Sequence, residues 1–187
     1  MAGEKAVWDF IFEMAQLKRT KRSGWAFPGV ENPESIADHN TRAAQIGYIL
    51  AKMENYSNPD EVCTILVFHE IAEARIGDIN KVANGHVEYD EERVAKTQTE
   101  PLGEVGDAIF EKVLQILKKD TKSGIIAKDA DYLETAATAK EYLERGYDTR
   151  SYIDNALARL KTRSANKLGA ALMEQNSTGW WKEIKKF

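Results

Sequence analysis

Four side chains that bind metal ions or carry protons lie within ten residues of this chain. They are His69, Glu70, Glu73 and Asp78, and most of the residues between them are apolar. Imidazole and carboxylate groups are common ligands of divalent cations, and carboxylates also move protons in hydrolytic reactions. A soluble fold has little structural use for four such groups in one apolar segment. The segment therefore predicts a site of metal or proton chemistry.

The apolar spacing before this segment predicts a helix that carries these groups. His69 continues a stripe of apolar residues at steps of three and four, formed by Val62, Ile65 and Leu66. Glu70 lies about 100° round the same helix, and Glu73 is four residues beyond His69. Gly77 fits as the residue that ends the helix, which leaves Asp78 in the following turn. Asn58 and Pro59 are typical of the start of this helix.

A second histidine lies on the inward face of an earlier helix. Ser35 can cap that helix while Asp38 returns the hydrogen bond, and an apolar stripe that includes His39 then continues to about Tyr56. A lone histidine on an apolar face is more often a core residue than a metal ligand. His39 taken singly therefore leaves both interpretations open.

Asp131 lies in a later helix, predicted over 124–145 with Ser123 as its cap. It sits near the edge of the apolar stripe, where an unpaired carboxylate would be costly to bury. Alone it could equally be an exposed aspartate. Together, however, His39, the His69-Glu70 pair and Asp131 come from three inward helix faces. Helical bundles build metal sites in this way, and two His with two carboxylates leave positions for water and substrate.

A basic and aromatic loop precedes the helix of His39. The first helix, predicted over 4–18, ends in a basic cluster that includes Arg22, and the segment Ser23-Gly24-Trp25-Ala26-Phe27-Pro28-Gly29 follows it. Glycine and proline exclude a regular helix there. From the local sequence, the loop is either a solvated charge run with Trp25 packed into the core, or a substrate contact.

Length and composition set the broad class. The chain has 187 residues, is 43% hydrophobic and carries 26 Lys and Arg against 30 Asp and Glu, which favours one compact domain and argues against a nucleic-acid polymer as partner. Cys63 is the single cysteine, which is typical of a reducing compartment. No apolar run approaches the roughly 20 residues that span a membrane. Helical patterns without strand alternation predict an all-α protein. The cysteine usage and the lack of a membrane span favour a cytoplasmic location, and the mild acidity favours a small substrate.

The order His39, His69-Glu70, Asp131 resembles the HD-domain superfamily of metal-dependent phosphohydrolases, whose signature is H…HD…D. The longer context is similar to the 5′-deoxynucleotidase branch from about residue 5 to about residue 165. That context comprises 22-RSGW-25, 33-PESIADH-39, 68-FHEIAE-73 with 77-GDI-79, and 128-KDAD-131. Glu70 departs from the signature, because the family usually has Asp there, and the extra methylene changes the reach of the carboxylate.

The resemblance implies a fold and a set of roles. It implies an HD-domain helical bundle over 1–187, with a C-terminal helical extension over about 166–187, and a homodimer. One divalent metal ion (Mn, Co, Zn, Fe or Mg) would be held by His39, His69, Glu70 and Asp131. Glu73 and Asp78 would be the catalytic carboxylates. Arg22 would orient the phosphate, Trp25 would contact the sugar where a ribose 2′-hydroxyl would sit, and Lys81 would be a second phosphate contact.

The resemblance implies removal of the 5′-phosphate from deoxyribonucleoside monophosphates by attack of a metal-bound water. Phosphoryl transfer needs cations and positioning more than covalent help, which suits these residues. Two alternatives stay open. One is an HD phosphohydrolase acting on a nucleoside triphosphate or a guanosine alarmone, for which more cations should converge on the pocket than Arg22 and Lys81. The other is a non-catalytic nucleotide-binding regulator, against which Glu73 and Asp78 argue.

Overall fold

Helices form the whole regular structure of the part of the chain that the computed structural model describes, residues 3–185. In chain order they are α1 Glu4–Met14, α2 Ile36–Met53, α3 Pro59–Phe68, α4 Glu73–Ile76, α5 Glu91–Thr99, α6 Glu104–Lys118, α7 Lys122–Glu144, α8 Arg150–Leu157, α9 Arg163–Leu172 and α10 Gly179–Ile184. Over the same residues, β pairing is limited to an isolated antiparallel bridge between Lys21 and Ser35. The predicted all-α class is confirmed.

Two of the predicted helix starts are found as expected. Ser35 accepts a hydrogen bond from the amide of Asp38, and the Asp38 carboxylate accepts one from the Ser35 amide at 2.9 Å, so a capping box begins α2. The side chain of Asn58 accepts from the amide of Glu61, and Pro59 is the first residue of α3. The sequence itself therefore fixes where the helices of His39 and His69 begin.

Two other predicted boundaries are wrong. The cap of α7 is Thr121 instead of Ser123, because the Thr121 hydroxyl accepts from the Gly124 amide at 3.0 Å. In the sequence, Asp148 after Gly146 predicts the cap of the next helix, but Asp148 does not cap α8. The residue before α8 is Thr149, whose hydroxyl donates instead to the carbonyl of Ala139 at 2.6 Å and ties α8 to α7.

The predicted continuous helix to Gly77 is interrupted at His69. Helix α3 ends at Phe68, and α4 begins again at Glu73. The His69 ring nitrogen Nδ1 lies 2.8 Å from the Leu66 carbonyl, the acceptor that the Glu70 amide would use in an α-helix. The next turn tightens to bonds between residues three apart, such as Ile71 N to Phe68 O at 3.3 Å. The segment that carries His69, Glu70 and Glu73 is therefore not one regular helix.

Helix α7 is the centre of the bundle. It packs against α2, α3, α6, α8 and α9, and it has buried residues on more than one side. Its carboxylates Asp129, Asp131 and Glu134 are all buried by these neighbours. Helices α2 and α3 approach closely at Gly47, where a Cβ would lie 2.2 Å from a methyl group of Leu66. This close contact holds His39 and His69 on facing walls.

The predicted single domain over 1–187, with its extension over about 166–187, stays a prediction. Residues 1, 2, 186 and 187 of that prediction lie outside the described residues. In the described part of the extension, the structure has most of α9 and all of α10. None of the helices in residues 3–185 is long and apolar enough to cross a membrane.

Candidate active site

Four side chains from three segments meet beside a cavity, which two of them, Glu70 and Asp131, line. One ligand atom from each of His39, His69, Glu70 and Asp131 lies within 4.8 Å of the other three. His39 Nε2 is 3.3 Å from His69 Nε2 and 3.2 Å from Asp131 Oδ1, and His69 Nε2 is 3.3 Å from Glu70 Oε1. The helices α2 and α7 and the turns after α3 thus bring all four predicted ligands together.

These separations fit a shared cation. Two ligands about 2.1 Å from a metal ion, at angles of about 90° to 110°, lie about 3.0 to 3.4 Å apart. The distances between the nitrogen and oxygen atoms here fall in that range. The donor set of two imidazoles and two carboxylates suits Zn, Fe, Co or Mn, and the longer side chain of Glu70 still reaches the cluster.

In each histidine, the hydrogen bond at Nδ1 leaves Nε2 facing the other candidate ligands. His69 Nδ1 donates to the Leu66 carbonyl at 2.8 Å, which leaves Nε2 unprotonated in the neutral ring. His39 Nδ1 forms a short hydrogen bond to Glu134 Oε2, and the same argument applies to its Nε2. Metal-binding histidines are commonly oriented by such a partner, which also raises their basicity. Both rings are therefore arranged as ligands.

Glu134 is a functional residue that the sequence reasoning missed. Its side chain is fully buried on α7, and its Oε1 accepts from Arg42 Nε at 2.9 Å and from Thr138 Oγ1 at 2.8 Å. Burial raises its pKa, but His39, Arg22 and Arg42 outweigh burial and lower the pKa to about 2. Its position three residues after Asp131, on the same helix face, was the available signal.

The predicted catalytic carboxylates line the same cavity. Glu73 Oε2 is buried and has no hydrogen-bond partner among residues 3–185. A native structure rarely leaves such an atom unpaired, so it marks a place for water, substrate or a cation. Asp78 Oδ2 accepts from the amide of Ser23, and the Ser23 hydroxyl donates to the Asp78 carbonyl at 2.9 Å. Asp78 therefore also fastens the turn after Arg22.

Arg22 lines the cavity together with Glu70 and Asp131, two of the four candidate metal ligands. Its guanidinium lies 3.8 Å from Glu34 and 3.9 Å from Glu134, and it donates to Thr135 at 3.3 Å. Burial lowers its pKa, but Glu134 and Glu34 outweigh burial and raise it. A second group of possible ligands consists of Glu34, His39 and Glu134. Its two carboxylates already lie beside the positive charge of Arg22.

Trp25 is both a core residue and part of the cavity wall. It is 2% exposed and contacts the rings of Tyr142 and Tyr152 at centroid distances of 5.2 and 5.0 Å. Its Nε1 donates to Glu34 Oε1 at 3.1 Å. The same side chain lines the cavity. The two interpretations of Trp25 from the sequence are therefore compatible.

The cavity has a volume of about 560 Å³, which is in the range of small-molecule sites. Lys81 lines it, and so do three charged residues that the sequence reasoning missed: Glu91, Lys128 and Arg159. Lys128 donates to Asp131 Oδ2 at 2.7 Å. Their wide separation in the chain, on α5, on α7 and after α8, gave the sequence no local signal.

The site brings several carboxyl groups close together, and each makes ionisation of the others less favourable. Burial, and then the charges of Glu70 and Asp78, raise the pKa of Glu73 to about 10. Burial and Glu70 raise the pKa of Glu91 to about 7. Burial and the charge of Arg22 lower the pKa of His39, but Glu134 and Asp131 outweigh both and raise the pKa to about 9. Such mutual repulsion between carboxylates is relieved by a bound cation.

Curated relatives match most of the chain. The chain is 29% identical over 163 residues to the 5′-deoxynucleotidase HDDC2 of Dictyostelium discoideum, covering 79% of this chain and 86% of that protein. It is 30% identical over 146 residues to the 5′-deoxynucleotidase hdd1 of Schizosaccharomyces pombe, covering 71% of this chain and 70% of that protein. Each alignment extends over more than two thirds of both chains.

Solved structures and a family model agree with this likeness. A conserved hypothetical protein from Pyrococcus furiosus superposes with a TM-score of 0.73 at 29% identity, covering 89% of this chain and 96% of that one. A predicted coding region from Archaeoglobus fulgidus gives a TM-score of 0.66 at 28% identity, covering 95% and 99%. The model of the HD domain matches residues 14–174. The chain therefore belongs to the HD domain family.

Proposed function

We propose that this protein is a metal-dependent 5′-deoxynucleotidase, a phosphohydrolase that removes the 5′-phosphate from deoxyribonucleoside monophosphates. The observation that carries the proposal is the grouping of His39, His69, Glu70 and Asp131 within 4.8 Å, beside a cavity that is also lined by Arg22 and by the carboxylates of Glu73, Asp78 and Glu91. The names of the curated relatives support the same activity.

The four grouped side chains would hold one divalent cation. When bound, that cation would polarise a phosphoryl oxygen and lower the pKa of water. The mixed imidazole and carboxylate donors suit Mn, Co, Zn or Fe, and the two carboxylates also allow Mg. Glu134 and the Leu66 carbonyl hold the two imidazoles in the ligand tautomer.

The remaining residues bind the phosphate and move protons. Arg22 keeps its positive charge next to Glu134 and binds the phosphate of the substrate, as a guanidinium does well. The water oxygen forms a bond to phosphorus as the bond from phosphorus to O5′ breaks. One of Glu73 and Asp78 takes the proton from the water, and the other serves the leaving O5′, which ends as a hydroxyl.

Trp25 and Lys81 are the proposed contacts to the rest of the nucleotide. Trp25 is held on two sides by tyrosine rings, so its indole is a rigid wall against the sugar. A ribose 2′-hydroxyl against that wall would clash or lose its hydrogen bonds. Lys81 lies in the loop after Asp78, where its ammonium lines the cavity.

A second candidate function is hydrolysis of a nucleotide with more than one phosphate. The observation that favours it is the presence of Lys128 and Arg159 in the cavity wall, in addition to Arg22 and Lys81. Lys128 is paired with Asp131, however, so only part of this charge is available to a substrate. The unpaired Oε2 of Glu73 argues against a regulator without catalysis, because pure binding of a phosphate has no need of that carboxylate.

We also propose a homodimer in the cytoplasm. Support for the dimer is the row of exposed apolar side chains on α1, where Trp8 stacks on Phe12 at a centroid distance of 5.6 Å. The free thiol of Cys63 supports a reducing compartment. Light scattering at micromolar concentration tests the dimer, and a monomeric mass would exclude it.

Phosphate release from a panel of deoxy- and ribonucleoside monophosphates, with Mn²⁺, Co²⁺, Zn²⁺ and Mg²⁺ added in turn, tests the activity. We expect turnover of deoxyribonucleotides that depends on the metal ion, with ribonucleotides slower. Release from triphosphates alone would support the second candidate. No release from any nucleotide under any metal would overturn both.

A further inference from the structure

Two basic side chains that line the cavity, Lys81 and Arg159, have no acidic partner among residues 3–185. Lys81 lies in the loop after Asp78, and Arg159 follows α8, so they come from distant parts of the chain. Both are exposed and yet line the cavity, which places them at its open end. In the part of the chain that the structure describes, neither ammonium nor guanidinium forms a hydrogen bond or an ion pair with another residue.

The other two cations of the cavity wall, Arg22 and Lys128, lie beside carboxylates. Arg22 lies against Glu34 and Glu134 at 3.8 and 3.9 Å, and Lys128 donates to Asp131 at 2.7 Å. The cavity therefore has two kinds of positive charge. Arg22 and Lys128 are paired with the carboxylates around the candidate metal ligands, where Arg22 also faces the phosphate that is hydrolysed. Lys81 and Arg159 remain for a second anionic group.

Lys81 and Arg159 line the same cavity, and each carries a positive charge. Burial, and then the positive charge of Arg159, lower the pKa of Lys81. Two like charges that converge on one concave surface raise the local potential and attract anions. An anion between them would remove the repulsion between the two side chains.

Arg159 is also held in place. Its guanidinium lies 5.6 Å from the centre of the Tyr132 ring, which places a cation against an aromatic ring. Tyr132 follows Asp131, so the ring is fixed by the same helix that carries the metal ligand. Asn155 and Ser151 line the same wall and add polar groups that can bond to oxygen atoms.

We propose that Lys81 and Arg159 form an anion subsite that binds a second phosphate of the nucleotide, one that is not hydrolysed. The proposal rests on the proposed function, since it places the hydrolysed phosphate at the buried cluster and the second one at the mouth. The preferred ligand is then a nucleotide with two phosphates. The second phosphate can be on the 3′-hydroxyl or in the 5′ chain, and the chemistry of recognition is shared.

The test compares three ligands on the metal-loaded protein: dAMP, deoxyadenosine 3′,5′-bisphosphate and dADP. KM comes from chromatographic measurement of the nucleoside product, because breaking the bond to O5′ releases phosphate from dAMP but pyrophosphate from dADP, and Kd comes from calorimetry at low temperature. We expect KM and Kd at least about threefold to tenfold lower for one or both of the two-phosphate ligands, because each cation adds a charge-assisted contact at a partly exposed site. The ligand that gains identifies the position of the second phosphate.

Variants assign the gain to the subsite. Arg159→Gln and Lys81→Gln should each reduce the advantage of the two-phosphate ligand over dAMP. Arg150→Gln is the matched control, because Arg150 is exposed, pairs with Asp154 at 3.1 Å and does not line the cavity. It should leave the advantage within about twofold of wild type.

Two results would overturn the subsite. One is equal affinity for dAMP and both two-phosphate ligands, and the other is an equal loss for all three ligands in Arg159→Gln. If wild type does not hydrolyse dAMP, the proposed function fails separately. The calorimetric advantage and its loss in Arg159→Gln would then still support the subsite.

Discussion

Replacing Glu134 by Gln should weaken metal binding. Glu134 is not itself a proposed metal ligand, but it bonds to Nδ1 of the proposed ligand His39. Its two oxygens accept hydrogen bonds on both sides, from His39 Nδ1 at Oε2 and from Arg42 and Thr138 at Oε1. Gln supplies one acceptor and one donor, so the amide NH₂ must face either His39 or Arg42. Each of these already offers a proton, and one of the two bonds is lost.

In either orientation of the introduced amide, His39 becomes a weaker metal ligand. If its NH₂ faces His39, the ring shifts its proton to Nε2, which is the atom 3.2 Å from Asp131. If its carbonyl faces His39, the bond persists without the negative charge that makes the ring a better ligand. Loss of such a partner costs about 10-fold to 100-fold in metal affinity. That is about 1.4 to 2.7 kcal/mol of binding free energy.

Calorimetric titration of the metal-free protein with Mn²⁺ measures this effect. Glu141→Gln is the matched control, because Glu141 binds Arg42 at 2.7 Å and has no contact with His39. We expect its affinity to stay within about twofold of wild type. Circular dichroism on the same samples excludes unfolding. Wild-type affinity in a folded Glu134→Gln variant would refute the argument that Glu134 positions His39.

Trp25→Ala should cost about 3 to 5 kcal/mol of stability, because the indole is 2% exposed. The same variant should raise the ratio of AMP to dAMP turnover by about 5-fold to 150-fold in kcat/KM, because the wall against the 2′-hydroxyl is gone. An unchanged ratio, measured below the lowered melting temperature, would return Trp25 to a packing role. Asp129→Asn should lower the free energy of unfolding, measured by urea denaturation, by about 1 to 3 kcal/mol. The reason is that the buried carboxylate accepts hydrogen bonds from the amides of Lys161 and Thr162 at 2.9 and 2.6 Å. An unchanged free energy of unfolding would show that these bonds add no stability. Burial raises the pKa of Glu13, but Arg75 and Gln98 outweigh it and lower the pKa below 4.5 in the folded state. The stability that Glu13 contributes is therefore present above pH 4.5 and lost as the pH falls through the pKa of the folded state. Glu13→Gln should make the free energy of unfolding less dependent on pH in that acidic window. An identical acid dependence in variant and wild type would exclude this role.

The residues that could be placed from the sequence are those that local spacing controls. His39 follows a capping box on an apolar stripe, and His69 continues the stripe of α3, so both inward directions were predictable. The interruption after Phe68 was not, because it depends on a bond from the ring of His69 to the Leu66 carbonyl that competes with the helix. Such competition between side chain and backbone leaves no periodic pattern.

The residues that were missed act through contacts distant in the chain. Glu134 and His39 are 95 residues apart, and Arg159 reaches the cavity only because α8 packs on α7. A charged residue on a helix edge is usually solvated, so neither Glu134 nor Lys128 stood out singly. Their role follows from the convergence of several helices, which one sequence without relatives does not reveal.

The central claim is that His39, His69, Glu70 and Asp131 hold one cation that hydrolysis requires. The most direct measurement titrates Mn²⁺ into metal-free protein and follows bound metal and phosphate release from dAMP in the same samples. We expect release to rise in proportion to the first ion bound per chain. His69→Ala should lose both while keeping its helical circular dichroism, because a core of this size folds without the metal. Full phosphate release from metal-free protein, or from a folded His69→Ala variant, would contradict the claim.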